Sequence, residues 1–171
     1  MKRFLIILSV MFCCLCVSAQ IPRDILGCTM GETSIETATK IFKNKGYPVE
    51  VISNGFQIFV KNVTYKGVLW NSVGLVFYKN KLKEIDFKKN STDFSQLQNN
   101  YASLLTEFNK KYISYERTSF PGSHRYSDRL TSLNIYQPRQ YSFSTAYDFT
   151  LIICDEYLAR QELEDSWNNF R

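Results

Sequence analysis

Apolar side chains recur at helical spacing in two long stretches of the chain. Ile35, Ala38, Ile41 and Phe42 share one face of a helix that the spacing predicts over 34–45. A longer stripe predicts a second helix over 94–111, and its apolar face consists of Phe94, Leu97, Tyr101, Leu104, Leu105, Phe108 and Tyr112. The acidic segment 155–170 predicts a C-terminal helix, whose sparse apolar side consists of Tyr157, Leu158, Leu163 and Trp167.

The first helix also carries signals at its two ends. Thr33-Ser34-Ile35-Glu36 reads as a capping box, in which the Thr33 hydroxyl accepts the Glu36 amide while the Glu36 side chain reaches back. Gly46 suits a left-handed cap at the other end, and Pro48 cannot continue the helix. We therefore expect Thr33 to be the N-cap.

Between the helices, apolar and polar residues alternate with the period of two that is typical of strands. Val73, Leu75 and Phe77 show this alternation in one segment. The pattern predicts strands at 49–52, 56–63, 69–78 and 82–88 after the first helix, and at 113–120, 130–137 and 143–154 after the second. Ser53-Asn54-Gly55 and Lys79-Asn80-Lys81 predict tight hairpin turns.

The order of these elements predicts an α+β fold. A helix plus an antiparallel β-meander occurs twice, and a C-terminal helix follows. We interpret 20–171 as a single α+β domain with two tandem halves, 20–90 and 91–171. One continuous α+β sheet without a repeat is an equal alternative.

The N-terminus has the pattern of a cleavable signal peptide over 1–19. Lys2 and Arg3 precede an apolar run, and Val17-Ser18-Ala19 supplies a small residue at −1 and a compatible one at −3 for signal peptidase cleavage. A retained membrane anchor is disfavoured, since a span needs about 20 apolar residues. Because Cys13, Cys14 and Cys16 do not follow a small residue, as lipid attachment requires, lipid anchoring is the minor alternative. We expect an exported, soluble protein of the periplasm or extracellular space, with no stable membrane span after cleavage.

Composition and charge narrow the function classes. The 13 Phe and 11 Tyr favour a folded, sheet-rich domain over disorder. The net charge of +5 includes Lys2 and Arg3, so the chain keeps only about +3 after cleavage. Its densest basic segment, 79–89, is interrupted by Glu84 and Asp86 and reads as the solvated face of a hairpin. We expect no nucleic-acid partner.

Two cysteines remain after cleavage, Cys28 and Cys154. In an oxidising compartment they form a candidate disulfide, which a chain-entropy argument values at about 4–5 kcal/mol. The alternative is that each is a small buried apolar residue. The sequence leaves this choice open.

Two further segments carry a resemblance to a known class of protein. They are Leu26-Gly27-Cys28-Thr29-Met30-Gly31-Glu32-Thr33-Ser34, with the helix ending at Lys45-Gly46-Tyr47, and the hairpin Gly74-Leu75-Val76-Phe77-Tyr78-Lys79-Asn80-Lys81-Leu82. Over 26–88 the chain resembles uncharacterised secreted Bacteroidetes-type proteins with a β-lactamase-inhibitor-protein-like fold, which outer-membrane assembly lipoproteins of the SmpA/OmlA type share in general layout. It departs from those lipoproteins in lacking a lipobox cysteine. The resemblance implies a fold that usually binds proteins or has no known role, with no catalytic residues to carry over.

The sequence offers little catalytic chemistry. His124 is the single histidine and falls in a polar segment, 118–129, that reads as a loop. A triad of His124 with Cys154 or a loop serine and Asp128 lacks the glycine pattern of a nucleophile elbow. One histidine and two separated cysteines do not make a usual zinc site, so we expect no metal and no cofactor. Paired carboxylates remain open, because their spacing is set in three dimensions.

The segment Tyr136-Gln137-Pro138-Arg139-Gln140-Tyr141 points to binding. Tyr136, Arg139 and Tyr141 combine aromatic and guanidinium groups, which are common in contact surfaces. With His124 they form the candidate binding residues, against the alternative that they only pack within a tyrosine-rich sheet. We predict an exported, non-catalytic interaction module whose partner is another exported or envelope protein. The alternatives are a secreted hydrolase that uses dispersed carboxylates or His124, and a structural protein of the cell envelope.

Overall fold

The computed structural model describes residues 20–52, 56–112, 114–117, 122–140 and 144–169. These residues form three helices, α1 (Ile35–Asn44), α2 (Phe94–Lys111) and α3 (Glu156–Asn169). The strands are β1 (Asp24–Ile25), β2 (Cys28–Thr29), β3 (Val49–Ile52), β4 (Gln57–Tyr65), β5 (Val68–Tyr78), β6 (Lys81–Ser91), β7 (Ser114–Arg117), β8 (Ser123–Ser127), β9 (Thr131–Gln140) and β10 (Tyr147–Asp155). The predicted signal peptide, 1–19, lies outside the described residues.

Eight of these strands build one antiparallel sheet in the order β3-β4-β5-β6-β10-β9-β8-β7. Each half of the chain contributes a helix and four consecutive strands, and the last strands of the two halves pair in the centre. There Leu151 of β10 lies opposite Phe87 of β6, and the remaining register follows without a shift. The prediction of an α+β fold with two helix-plus-meander units and a C-terminal helix is confirmed.

One face of the sheet carries the hydrophobic core. Helix α1 packs on β3 and β4, and α2 packs on β6, β9 and β10. The buried apolar side chains of the strands include Ile58, Val60, Trp70, Val73, Leu75, Ile85, Phe87, Leu133, Ile135, Phe149, Leu151 and Ile153. Helical spacing places Ala38 and Phe42 of α1, and Leu97, Leu104 and Phe108 of α2, against them. The period-two and helical patterns therefore meet on a single face.

The N-terminal end of α1 differs from the prediction in detail. Ser34, and not Thr33, is the N-cap, and its hydroxyl accepts the Thr37 amide at 3.2 Å. The Thr33 hydroxyl instead accepts the Thr29 amide at 2.7 Å. Because Thr33 is taken up by the turn after β2, the helix begins one residue later than the capping box predicts.

The β5–β6 hairpin confirms its predicted turn. Tyr78 pairs with Lys81, and the two residues between them, Lys79 and Asn80, have φ of 48° and 57°. Two left-handed residues in a two-residue loop are the geometry that matches the twist of the flanking strands. The other predicted turn, 53–55, lies outside the described residues.

The second half contains a strand that the sequence pattern does not predict. Ser123–Ser127 forms β8 within the segment 118–129 that reads as a loop, and it pairs with β9 over its whole length. Tyr126 is fully buried in this strand, and its hydroxyl donates to Asn109 of α2 at 2.7 Å. Tertiary pairing here overrides local signals such as Pro121 and Gly122.

Candidate binding face of the sheet

The second face of the central sheet carries the candidate site. We call it the open face, because α1 and α2 lie on the other side. Successive residues of a strand point to opposite faces of the sheet. Because Ile85 and Phe87 of β6 point into the core, Asp86 and Lys88 lie on the open face. The same alternation along β10 places Asp148, Thr150 and Ile152 there.

The strand order brings polar residues of three strands together on the open face. Asp86 lies opposite Ile152, Lys88 opposite Thr150, and Thr150 opposite Tyr136 of β9. A bulge in β9 follows, after which Arg139 lies opposite Asp148. These residues, together with Gln137, line a cavity of about 330 Å³.

Asp86 supplies this cavity with a buried polar atom that lacks a partner. Its Oδ2 forms an ion pair with Lys88 Nζ at 3.1 Å, and the side chain is only 17% exposed. Its Oδ1 is buried and has no hydrogen-bond partner among the described residues. An unpaired buried acceptor lowers the stability of a fold by about 1–3 kcal/mol. Such a group does not help the fold, but it can serve binding by accepting a hydrogen bond from a partner.

Asp148 adds a second carboxylate at the far end of the cavity. It is half-buried and makes no hydrogen bond or ion pair within the described part of the chain. Because it lies four residues from Ile152 on β10, its backbone is roughly 13 Å along the strand from the level of Asp86. The cavity therefore presents acidic groups at two ends with Lys88 and Tyr136 between them.

Helix α3 covers one end of the open face. Its tethers to the sheet are Arg125–Glu156, Lys83–Glu162, Lys79–Asp165 and the hydroxyl of Tyr78 donating to Asp165. Beside it lies a second cavity of about 510 Å³, lined by Phe56, Val76, Phe77, Tyr78, Glu162, Asp165, Ser166, Asn168 and Asn169. The predicted apolar side of this helix is wrong in part: Leu158 is buried, but Tyr157, Leu163 and Trp167 are exposed.

Two titratable groups lie where α3 meets the sheet. Cys154 of β10 is opposite Glu84 of β6. Burial raises the pKa of the Cys154 thiol to about 12, and the nearby carboxylates of Glu84 and Glu156 act in the same direction. Burial also raises the pKa of Glu84. The positive charge of Lys83 acts against this increase, and the negative charge of Asp86 adds to it. A thiol in this state is not activated as a nucleophile.

The structure separates His124 from two of the other predicted binding residues, Tyr136 and Arg139. Tyr136 and Arg139 line the cavity on the open face. His124 lies opposite Ile135 of β9 and therefore faces the helices, with its ring centroid 6.4 Å from that of Tyr101. Tyr141 lies outside the described residues. The interpretation of His124 as a loop residue is wrong, because β8 fixes it in the sheet.

The candidate disulfide is not formed in this structure. Cys28 and Cys154 are both free thiols. Cys28 is fully buried in the core, whereas Cys154 follows the core residue Ile153 and so projects to the open face. The sheet lies between the two sulfur atoms, which explains why they do not pair.

The residues that sequence reasoning missed are Asp86, Lys88, Asp148 and Thr150. Their polar alternation in β6 and β10 is visible in the sequence, but it is also the pattern of any solvated sheet face. What distinguishes them is the pairing of β6 with β10, which joins residues more than sixty positions apart. That neighbourhood has no local signal.

The described residues carry no group of three or more histidine, cysteine, aspartate or glutamate side chains that could hold a metal ion. Among the helices of the same part of the chain, none has the length and apolar character that crossing a membrane requires. No match to this chain is found among known protein families, curated proteins or solved structures. The interpretation of the open face therefore rests on its geometry.

Proposed function

We propose that this chain is an exported, non-catalytic interaction module that binds another exported or envelope protein through the open face of its sheet. The observation that carries the proposal is the cavity over β6, β10 and β9, with Asp86 at its floor. A buried carboxylate oxygen without a partner is retained at a cost in stability, and binding is a reason to retain it.

The lining of the cavity suits a protein surface as partner. Lys88 and Arg139 supply positive charge, Asp86 and Asp148 supply negative charge, and Tyr136 supplies an aromatic ring. Mixed charges fix the orientation of a partner, while tyrosine and arginine are enriched among residues that dominate binding energy.

The hydrolase alternative has less support from the same geometry. Glu84 and Asp86 lie two residues apart on the same face of β6, so their backbones are separated by roughly 7 Å. This separation is compatible with a catalytic carboxylate pair. Asp86 lines the 330 Å³ cavity, but Glu84 lines neither cavity. His124, the other catalytic candidate, faces the helices on the opposite side of the sheet.

Site-specific photo-crosslinking tests the proposal. A photoreactive phenylalanine analogue replaces Tyr136 in one variant and Lys40, an exposed residue of α1, in a matched control. In the cells that make this protein, we expect a discrete protein adduct from position 136 and none of the same mass from position 40. Adding Arg139→Glu to the position-136 variant is expected to reduce the adduct by roughly tenfold, the effect of losing one strong interface contact.

The opposite results would overturn the proposal. They are identical adducts from both positions, or no adduct from position 136. An adduct that Arg139→Glu leaves unchanged would also place the contact outside the cavity. Circular dichroism of each variant verifies that the sheet is intact, so that loss of an adduct is not loss of fold.

A further inference from the structure

Helix α3 docks on the sheet with its acidic side inward. Glu156 and Glu162 pair with Arg125 and Lys83, and the Lys83–Glu162 distance is 2.6 Å. Lys83 is only 13% exposed, whereas Glu162 is 42% exposed, so water reaches one partner of this pair. Ion pairs that water reaches are individually weak and are screened by salt.

Apolar burial contributes little to this docking. Within the described part of α3, Leu158 is its one buried apolar residue. Leu163 and Trp167, one helical turn apart, point away from the sheet and are 59% and 68% exposed. The helix therefore lacks the continuous apolar stripe that fastens α1 and α2 to the core.

The open face continues beneath α3. Val76, Glu84 and Cys154 lie side by side across β5, β6 and β10, because Val76 is opposite Glu84 and Glu84 is opposite Cys154. Asp86 and Ile152 form the next row of the same face, inside the cavity already described. All three side chains are partly buried, and burial raises the pKa values of Glu84 and Cys154.

We propose that α3 is a removable cover, held by its ion pairs, whose release extends the binding face by the row Val76, Glu84 and Cys154. The covered row adjoins the cavity at Asp86. A partner that binds the released form therefore gains contact area at this end of the cavity. The purpose of this release rests on the proposed binding function, but the release itself does not.

Pulse labelling of thiols tests the release. N-ethylmaleimide is applied for short intervals, and peptide mass spectrometry assigns the adduct to each cysteine of the full chain. Cys154 reports the cover, while Cys28, which is fully buried in the core, reports global unfolding. Raising NaCl from about 0.05 M to about 1 M shortens the screening length from above 10 Å to about 3 Å.

We expect the labelling rate of Cys154 to rise roughly tenfold with salt, which is the combined effect of three ion pairs that are each worth a few-fold. Cys28 is expected to stay unlabelled over the same range. Glutathione labelled in parallel corrects for the effect of salt on the reagent itself.

A charge-reversal cycle makes the test specific. Lys83→Glu is expected to speed labelling of Cys154 at low salt, and the double variant Lys83→Glu with Glu162→Lys is expected to restore the slow rate. Lys40→Glu, an exposed reversal on α1, is expected to change nothing. If Lys83→Glu unfolds the chain, Cys28 becomes labelled as well, and the salt series on the unaltered chain then decides.

Two results would overturn the cover. In one, Cys154 reacts only as fast as Cys28 at every salt concentration and in every variant. In the other, Cys154 reacts as fast as glutathione already at low salt. Neither result depends on a partner, so failure of this inference and failure of the crosslinking experiment are separate outcomes.

Discussion

The two faces of the sheet are covered by different means. On the core face, α1 and α2 bury continuous apolar stripes, and the Trp70 ring packs between those of Phe87 and Phe149 at centroid distances of 5.3 and 5.1 Å. On the open face, α3 buries Leu158 and relies on ion pairs with Lys83 and other basic residues. The stabilisation from apolar burial grows with the buried area. Exposed ion pairs contribute little, because water and salt ions compete with each partner.

This difference indicates a division of labour within one sheet. The core face specifies the fold, because its apolar positions match the period of every strand and helix that contributes to it. The open face keeps charged groups with incomplete partners, which stability alone does not favour. A change on the core face should therefore lower the free energy of unfolding, and a change that removes a charge from the open face should alter binding or exposure without lowering it.

The largest expected effect comes from the centre of the core. Trp70 is completely buried, and its indole donates to the Tyr65 carbonyl at 3.2 Å. We expect Trp70→Ala to lower the free energy of unfolding by about 3–5 kcal/mol, through lost burial and the cavity that remains. Urea denaturation followed by circular dichroism measures the change. A loss below about 1 kcal/mol would contradict the assignment of the core to this face.

The second effect is smaller and has the opposite sign. Asp86→Val removes a buried carboxylate oxygen that has no partner and places a β-branched residue in β6. We expect the free energy of unfolding to rise by about 1 kcal/mol, the lower range of the penalty for an unpaired buried acceptor. The same variant should lose the adduct from position 136. Asp93→Val serves as the control, because it removes a carboxylate that caps α2 by accepting the Gln96 amide at 3.0 Å, and it should destabilise the protein.

A loss of stability in Asp86→Val would mean that the Asp86–Lys88 pair supports the fold, and the interpretation of Asp86 as a binding residue would then lose its basis. Gain of stability with an unchanged adduct would separate Asp86 from binding while leaving the cavity as the contact. Both quantities are therefore measured on the same preparation.

The third effect depends on pH. Because burial raises the pKa of Glu84, the folded protein holds a proton on this group more tightly than the unfolded chain does. This contribution to stability is present below the ordinary glutamate pKa of about 4.3 and is lost as pH rises through the higher pKa of the folded state. Glu84→Gln should therefore be more stable than the unaltered chain at neutral pH, and the difference should vanish at low pH.

Denaturant unfolding of the Glu84→Gln variant across this pH range checks the sign. Glu50→Gln, an exposed change on β3, is the matched control and should show no such trend. A difference that grows as pH falls would mean that Glu84 is stabilised as a carboxylate, and α3 would then not exclude water from it.

The sequence pattern predicts the core face well and the open face poorly. Residues such as Val73, Leu75 and Phe77 repeat with the strand period, so their burial and the fold class follow from local spacing. The neighbourhood of Asp86 and Tyr136 arises from the pairing of β6 with β10 and of β10 with β9, which no local pattern encodes. For the same reason β8 looks like a loop in the sequence, and its pairing with β9 makes it a strand.

The smallest expected effect uses the second tryptophan of the chain. Trp167 lies on α3 and is 68% exposed, whereas Trp70 is completely buried in the core. Trp167→Ala therefore makes the same chemical change as Trp70→Ala, but on the helix that covers the open face. We expect it to change the free energy of unfolding by less than about 0.5 kcal/mol. Since Trp167 points away from the sheet, the labelling rate of Cys154 should also stay unchanged. A loss comparable to that of Trp70→Ala would show that α3 is fastened by apolar packing, and the distinction between the two faces would then fail.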